Sequence, residues 1–144
     1  MDSLRTSRYA LLRSYRRDGR PVDTPIWFHL DGTTLVFRTK IGPKTTRIAN
    51  DPRVELQVCD YKGRVADSAP TLTGQAVVLA GADAERANRE LRGRYGWQYN
   101  LIPLLHLPGV KNVDAGLPLR EKWQRLRNPN LWPGSAIVRV DLAA

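Results

Sequence analysis

The sequence is poor in the residues that bind metals and form disulfides. Its 144 residues include one cysteine, Cys59, one methionine and two histidines, His29 and His106. A single cysteine excludes both a disulfide framework and a cysteine-rich zinc site, because each needs several sulfur atoms. Neither histidine has another histidine, a cysteine or a carboxylate at the usual ligand spacing, so no metal site is predicted.

Long apolar segments are also lacking. No stretch approaches the roughly 18 apolar residues that a membrane-spanning helix needs. The first five residues are mostly polar and do not lead into the apolar run of a signal peptide. We therefore expect a cytoplasmic protein without a membrane span.

The common catalytic motifs are missing. The sequence has no Gly-x-Gly-x-x-Gly fingerprint, no phosphate-binding P-loop and no Gly-x-Ser-x-Gly nucleophile turn. Most candidate carboxylates lie in predicted turns and form no convincing acid–base pair: Asp23, Asp31, Asp51, Glu55 and Asp60. No catalytic side chain is predicted, which favours an enzyme whose chemistry is carried by a bound cofactor.

Acidic residues are few relative to basic ones. There are 14 Asp and Glu against 23 Lys and Arg, of which 18 are Arg, and the formal net charge is +9. Because a guanidinium binds phosphate or carboxylate through two parallel hydrogen bonds, this excess predicts an anionic partner. A GC-rich genome would enrich arginine without any such partner. The basic residues are scattered and accompany no known nucleic-acid motif, so we expect no nucleic-acid partner.

The length fits one compact domain, residues 1–144, in which strands outnumber helices. Alternating apolar positions and turn signals predict a small barrel or sandwich, with strands at residues 9–16, 21–30, 34–39, 53–60, 71–80 and 135–142. A first helix is predicted to begin at Pro43, and a second to run from an N-cap at Asp83 to about Tyr95.

The segment 96–133 breaks this pattern and is predicted to be an irregular and helical insertion before the last strand. It contains three of the four tryptophans, Trp97, Trp123 and Trp132. Its length favours a lid or an interface, and the alternative is that the tryptophans plug one end of the barrel. A helix predicted over residues 118–127 places Leu119, Trp123 and Leu126 on one stripe.

The densest polar cluster lies where the third strand runs into the first helix. It consists of Arg38, Thr39, Lys40, Lys44, Thr45, Thr46 and Arg47. The free N–H groups and the dipole at a helix N-terminus both favour an anion, so the cluster predicts a phosphate site. The alternative is an ordinary solvated helix start with basic side chains.

Several short motifs follow one another along the first two thirds of the chain. They are Tyr-Arg-Arg-Asp-Gly-Arg-Pro-Val-Asp-Thr-Pro-Ile-Trp-Phe at 15–28, Asp-Gly at 31–32, Leu-Val-Phe-Arg-Thr at 35–39, Lys44, Arg-Ile at 47–48, Asn-Asp-Pro-Arg-Val at 50–54 and Cys-Asp at 59–60. With these motifs, residues 9–95 resemble the oxidoreductases of the pyridoxamine 5′-phosphate oxidase-like superfamily, specifically the branch that uses the deazaflavin coenzyme F-420.

The resemblance implies a split β-barrel of the FMN-binding type that forms a homodimer, with two cofactor sites at the subunit interface. It also implies that the backbone at Pro25, Ile26 and Trp27 lies beside the cofactor ring. The phosphate-bearing side chain of the cofactor would then be held by Arg38, Thr39, Lys44 and Arg47.

The activity implied by the resemblance is transfer of a hydride from reduced F-420 to a small conjugated acceptor. The deazaflavin branch often carries a lysine where this chain has Thr46. An FMN-dependent oxidoreductase of the same fold therefore stays open, as does a non-catalytic carrier of F-420, a flavin or haem.

Overall fold

Six antiparallel strands form a closed barrel in the computed structural model, which describes residues 2–60, 62–66, 68–105, 113–128, 130–132 and 134–143. The strands are Tyr9–Tyr15 (β1), Pro21–Asp31 (β2), Thr34–Lys40 (β3), Arg53–Val58 (β4), Leu72–Val78 (β5) and Ser135–Leu142 (β6). They follow one another around the barrel in the order β1-β2-β3-β6-β5-β4. The predicted β-barrel is confirmed, and each predicted strand end lies within two residues of the observed one.

Helices cover part of the barrel's outside and one of its ends. They are Asp2–Thr6 (α1), Pro43–Asn50 (α2), Gly81–Tyr95 (α3), Gln98–Leu101 (α4) and Leu119–Arg127 (α5), and there are 3-10 turns at Ile102–Leu104 and Val113–Gly116. Pro43 occupies the first turn of α2, as predicted, where its missing N–H costs no hydrogen bond.

Side-chain alternation separates the two faces of β3. Leu35 and Phe37 are fully buried inside the barrel, whereas Val36 between them packs on the outer face beneath α3. Each such buried apolar side chain contributes about 1.5–3 kcal/mol to stability. Alternation along a strand separates these two sides, and the packing shows which of them faces the interior.

The hydrogen-bonded ladder between β2 and β3 covers only part of the two strands. Residues Phe28–Asp31 of β2 pair with Thr34–Phe37 of β3, and the pairing stops at Phe28 and Phe37. On its other edge β2 pairs with β1 over residues 21–27, and on its other edge β3 pairs with β6 over its whole length. The two strands therefore diverge from Trp27 and Arg38 onward, which opens a gap in the barrel wall. We call this the β2–β3 opening.

Gly74 allows β5 and β6 to approach closely. A Cβ atom at this position would lie 2.8 Å from Cγ1 of Val140 and 2.9 Å from the carbonyl oxygen of Asp141. Because one of these neighbours is backbone, the strands would have to move apart to accept any side chain.

Helix α3 packs on the outer face of β2, β3 and β6. It begins at Gly81 with Ala80 as its N-cap, so the predicted N-cap at Asp83 is wrong. Gly81 has a φ of 60°, which lets the chain turn into the helix earlier and leaves Asp83 in the first turn. Ala84, Ala87 and Leu91 lie on the side of α3 that faces the barrel, and all three are buried.

The segment after α3 is only partly packed against the barrel. Trp132 is buried, but Trp97 and Trp123 are 68% and 59% exposed. Plugging the barrel end is therefore the wrong interpretation for Trp97 and Trp123. Helix α5 runs over the predicted residues, yet none of its side chains is buried. The assignment of residues 96–133 as an insertion before the last strand stays a prediction.

Candidate functional site

The edge of β2 at the β2–β3 opening is formed by backbone groups. The carbonyl of Tyr9 accepts a hydrogen bond from the N–H of Cys59, so Tyr9 does not bond to its partner Trp27. By the alternation of an antiparallel ladder, the N–H and C=O of Trp27 and the C=O of Pro25 point toward the opening. Proline is suited to this edge because it brings no unpaired N–H.

The side chains around this edge are held by packing. The Trp27 ring stacks on Tyr95 with centroids 4.8 Å apart and meets the edge of Tyr9 at 6.0 Å. Ile26, between Pro25 and Trp27, is buried in the barrel core. The predicted residues Pro25, Ile26 and Trp27 thus present a rigid strand edge rather than mobile side chains.

The hydroxyl of Tyr95 holds the end of the β1–β2 ladder. It accepts a hydrogen bond from the N–H of Phe28 at 2.9 Å and lies 2.7 Å from the carbonyl oxygens of Arg8 and Phe28, to which it can donate its proton. Burial raises the pKa of Tyr95, so the hydroxyl stays protonated at neutral pH.

Helix α2 starts directly after the divergent end of β3. Its first turn is closed by Thr45, whose hydroxyl accepts a hydrogen bond from the N–H of Gly42 at 3.0 Å and lies 2.9 Å from its carbonyl oxygen. Thr46 points outward and is exposed. The predicted residue Thr45 therefore shapes the helix start, and its hydroxyl is engaged there.

Two cations, Lys44 and Arg47, lie on the inner side of α2. Lys44 is only partly exposed, and its Nζ lies 5.8 Å from the centre of the Phe37 ring inside the barrel. Arg47 Nε donates a 3.0 Å hydrogen bond to Oγ of Ser14, which is buried. Neither cation takes part in an ion pair among the described residues.

Burial and, to a smaller extent, repulsion between like charges lower the pKa values in this cluster. Burial and the neighbouring charge of Arg47 lower the pKa of Lys44 to about 8. Burial and the charge of Arg16 lower the pKa of Arg47 in the same way. Lys44 lies in the first turn of α2, next to the positive end of the helix dipole. That turn has no acidic residue to offset the repulsion between the two positive charges. A bound anion would relieve all of these repulsions.

Arg38 lies on the opposite face of β3 from this cation pair. Its guanidinium donates to the carbonyl of Tyr99 and, at 3.1 Å, to Oδ1 of Asn100. The same group lies 3.7 Å from the centre of the Tyr99 ring and 4.6 Å from that of Trp132. The side chain thus joins β3 to the segment after α3.

The structure brings together only part of the predicted cluster. Thr39 follows Phe37 on the inner face of β3, the face toward which Lys44 points, whereas Lys40 alternates with Thr39 onto the outer face, as Arg38 does. The sequence interpretation missed Ser14, which continues the inward row of Ala10 and Leu12 on β1. The signal was a polar residue at an inward position.

A metal site in a protein needs several His, Cys, Asp or Glu side chains close together. No group of three or more His, Cys, Asp or Glu side chains that could hold a metal ion is found in the part of the chain that the structure describes. His29 is part-buried on β2, and His106 lies outside the described residues.

No described helix is long and apolar enough to cross a membrane.

Comparison with known families decides the membership of this barrel. The family model described as pyridoxamine 5′-phosphate oxidase matches residues 1–115, which is most of the chain. The chain belongs to the pyridoxamine 5′-phosphate oxidase family. At the sequence level, no curated protein matches it.

Solved structures with the same barrel have little sequence identity to this family member. The haem-storage protein HutZ from Vibrio cholerae has 12% identity and a TM-score of 0.60, over 99% of this chain and 87% of that one. An FMN-binding protein from Nostoc punctiforme has 17% identity and a TM-score of 0.58, over 97% and 73%. A structure described as an F-420 reductase has 20% identity and a TM-score of 0.52, over 99% and 92%. At these identities the likeness shows the fold.

The donor set at α2 fits the phosphate of a flavin-type cofactor. Lys44, Arg47 and the first-turn N–H groups of α2 supply positive charge and donors, and Ser14 orients the guanidinium. Backbone donors and acceptors at the β2–β3 opening beside them would face a planar ring bound there. Such a cofactor supplies hydride transfer, which this chain's side chains do not provide.

Proposed function

We propose that this member of the pyridoxamine 5′-phosphate oxidase family is an oxidoreductase that transfers a hydride from reduced F-420 to a small conjugated acceptor. The observation that carries the proposal is the cation pair Lys44 and Arg47, which has no carboxylate partner among the described residues and lies beside the β2–β3 opening. The family membership and the F-420 reductase among its structural neighbours support it.

The residues have separate tasks in this proposal. Lys44 and Arg47 bind the phosphate, and Thr39 and Thr45 keep the strand end and helix start in place. The backbone of Pro25, Ile26 and Trp27 orients the polar edge of the ring along β2. The stacked rings of Trp27 and Tyr95 exclude water from the outer side of that strand. No side chain of this chain is assigned a proton-transfer role.

Arg38 and Lys40 are also predicted to bind the cofactor, but their contacts point to a different role. The backbone of both residues lies at the β3 edge of the opening, while the Arg38 side chain contacts Tyr99 and Asn100. We propose that they contribute by positioning this edge. Thr46, exposed on α2, would contact only the outer part of a long cofactor tail.

FMN is the second candidate cofactor. Two cations suit a single phosphate group, which FMN carries, and Thr46 stands where a further lysine would serve a longer acidic tail. A structural neighbour is described as FMN-binding, and another is a haem-storage protein, so a carrier without turnover is the third candidate.

Cofactor titration separates the three candidates. The purified protein is titrated with F-420 and, separately, with FMN and haem, and the fluorescence or absorbance of each cofactor is followed. F-420 binding at micromolar concentration, with oxidation of the reduced coenzyme by quinone or nitroaromatic acceptors, is the expected result. Binding of FMN alone would reassign the cofactor, and tight binding without turnover over a broad acceptor panel would identify a carrier.

A matched pair of variants tests the site in the same assay. Lys44→Ala should weaken cofactor binding by about 1.5–3 kcal/mol, the range for a hydrogen bond to a charged group. Lys62→Ala, which removes an exposed lysine from the turn after β4, should leave the affinity unchanged. Equal affinities for the two variants would show that the cation pair is not the phosphate site.

We also propose that the protein is a homodimer, as the resemblance implies. A groove of about 460 Å³ lies between the start of α2, the end of β5 and the start of α3, and exposed Ile41 and Val78 line it. Val78→Asp should shift the sedimentation mass from dimer to monomer. The cytoplasmic location and the absence of a nucleic-acid partner stay predictions.

A further inference from the structure

Helix α5 exposes the apolar side of its sequence to solvent. Leu119 is 84% exposed and Trp123 59% exposed, and the helix buries none of its nine residues. Neighbouring large apolar groups that stay exposed together on a folded chain mark an interaction surface. Seven large apolar side chains are exposed among the described residues, and four of them lie between Trp97 and Trp123.

The exposed apolar side chains stand beside cations. Leu119, Trp123 and Arg127 follow one another at a spacing of four residues and so lie along one side of the helix. The Arg127 guanidinium lies 6.0 Å from the centre of the Trp123 ring. Arg120 is exposed one position after Leu119 and flanks the same side. We call Leu119, Arg120, Trp123 and Arg127 the α5 face.

The helix is fixed to the protein by a different side. The indole N–H of Trp132 donates a 3.0 Å hydrogen bond to the carbonyl of Arg125, whose guanidinium lies 5.5 Å from the Trp132 ring. Just past the end of α5, the carbonyl of Asn128 accepts a hydrogen bond from Nδ2 of Asn100. These contacts hold α5 as a formed helix, so its exposed face is available without unfolding.

We propose that the α5 face docks on the surface of an anionic lipid bilayer. An indole at the boundary between headgroups and acyl chains, with leucine below and arginines at phosphate level, is the usual arrangement of an interfacial helix. Each arginine near an anionic surface adds attraction, and the net charge of +9 adds to it over a longer range. The binding does not depend on a cofactor.

A second copy of the chain fits this face less well. A two-fold interface would bring the face of one protomer against the same face of its partner. Arg120 and Arg127 would then approach their own copies, and like charges at short range repel. The charge complementarity therefore favours an anionic surface.

Vesicle flotation of the full chain tests the proposal. The protein is mixed with vesicles of phosphatidylcholine containing one third phosphatidylglycerol, or with vesicles of phosphatidylcholine alone. We expect binding to the anionic vesicles, weakened about 30-fold by Arg120→Gln with Arg127→Gln, in line with the attraction of two arginines. Leu119→Ser with Trp123→Ser should weaken it as well, and Val77→Ser, which changes an exposed apolar residue on β5, should not.

Circular dichroism checks that each variant is folded, which we expect because the substituted side chains are exposed. Absence of vesicle binding would overturn the proposal and direct the search to an acidic protein partner. Equal binding of the α5 variants and the unchanged protein would also overturn it. Self-association that disappears in the Leu119→Ser and Trp123→Ser variant, without vesicle binding, would assign the face to a second copy.

Discussion

Arg47 Nε donates a hydrogen bond of 3.0 Å to Oγ of Ser14, which ties helix α2 to the inner side of strand β1. The guanidinium is therefore oriented before any ligand arrives. Ser14 is buried and carries no charge, so its hydroxyl accepts a hydrogen bond from Arg47 without neutralising the positive charge of the guanidinium. The positive charge of Arg47 thus stays available to an anion.

Ser14→Ala should weaken anion binding although the serine need not touch the anion. Loss of one hydrogen bond to a charged group costs about 1.5–3 kcal/mol, divided between folding and the orientation of Arg47. We expect a lower melting temperature and a several-fold weaker affinity for sulfate in a thermal-shift titration. Ser14→Thr, which keeps the hydroxyl, should restore most of both, and equal loss in the two variants would contradict a role for this hydrogen bond.

Anion binding should weaken as the pH rises through about 8. Lys44 has its pKa lowered to about 8, so it is mostly charged at pH 7 and mostly neutral at pH 9.5. Sulfate keeps its charge over this range, so the change reports the protein. We expect a loss of affinity on the order of 10-fold between the two pH values, corresponding to about 1.4 kcal/mol. In Lys44→Met this pH dependence should vanish, and its persistence there would assign it to another group.

Lys44→Met should stabilise the ligand-free protein at pH 7. The folded protein disfavours the charged lysine, so removing the charge is expected to raise the free energy of unfolding by about 1–3 kcal/mol. The gain should be complete below the folded pKa of about 8 and should disappear above the ordinary value of 10.5, where the lysine is neutral in both states. Denaturant melts at pH 7 and at high pH measure it, and destabilisation at pH 7 would contradict the expectation.

Arg38→Ala should affect stability more than cofactor affinity. The substitution removes two hydrogen bonds and the contacts with the rings of Tyr99 and Trp132, which together contribute about 2–4 kcal/mol. Arg38→Lys keeps the charge but loses the planar contacts, so it should destabilise nearly as much. If the lysine variant kept full stability and both variants altered only cofactor affinity, Arg38 would be a phosphate ligand.

Gly74→Ala should destabilise the barrel by about 1–3 kcal/mol, because its methyl group would overlap Val140 and the backbone of Asp141. Gly93→Ala, inside α3, is the matched control: nothing lies within 4 Å of its added Cβ atom. That substitution should raise stability by about 0.5–1 kcal/mol through helix propensity. In a thermal melt we expect the melting temperature to fall for Gly74→Ala and to rise for Gly93→Ala. Equal changes in the two variants would contradict the close approach of β5 and β6.

Structural features that depend on a few neighbouring residues were predictable from the sequence. Apolar alternation put Leu35 and Phe37 on the same side of β3, and Pro43 marked the first turn of α2. A stripe of Leu119, Trp123 and Leu126 predicted the helix α5 correctly. Periodicity gives the shape of an element and its two sides, but it does not say whether another part of the chain covers the apolar side.

The sequence by itself determined the strands, the turns and the family, because local propensity and motif order suffice for these. It also determined that Lys44 and Arg47 share one helix face, since they are three residues apart. Only the tertiary structure decided that Ser14 faces them and that Arg38 does not, because strand pairing and register bring distant residues together. The exposed α5 face was decided in the same way, since burial is a property of the whole packed chain.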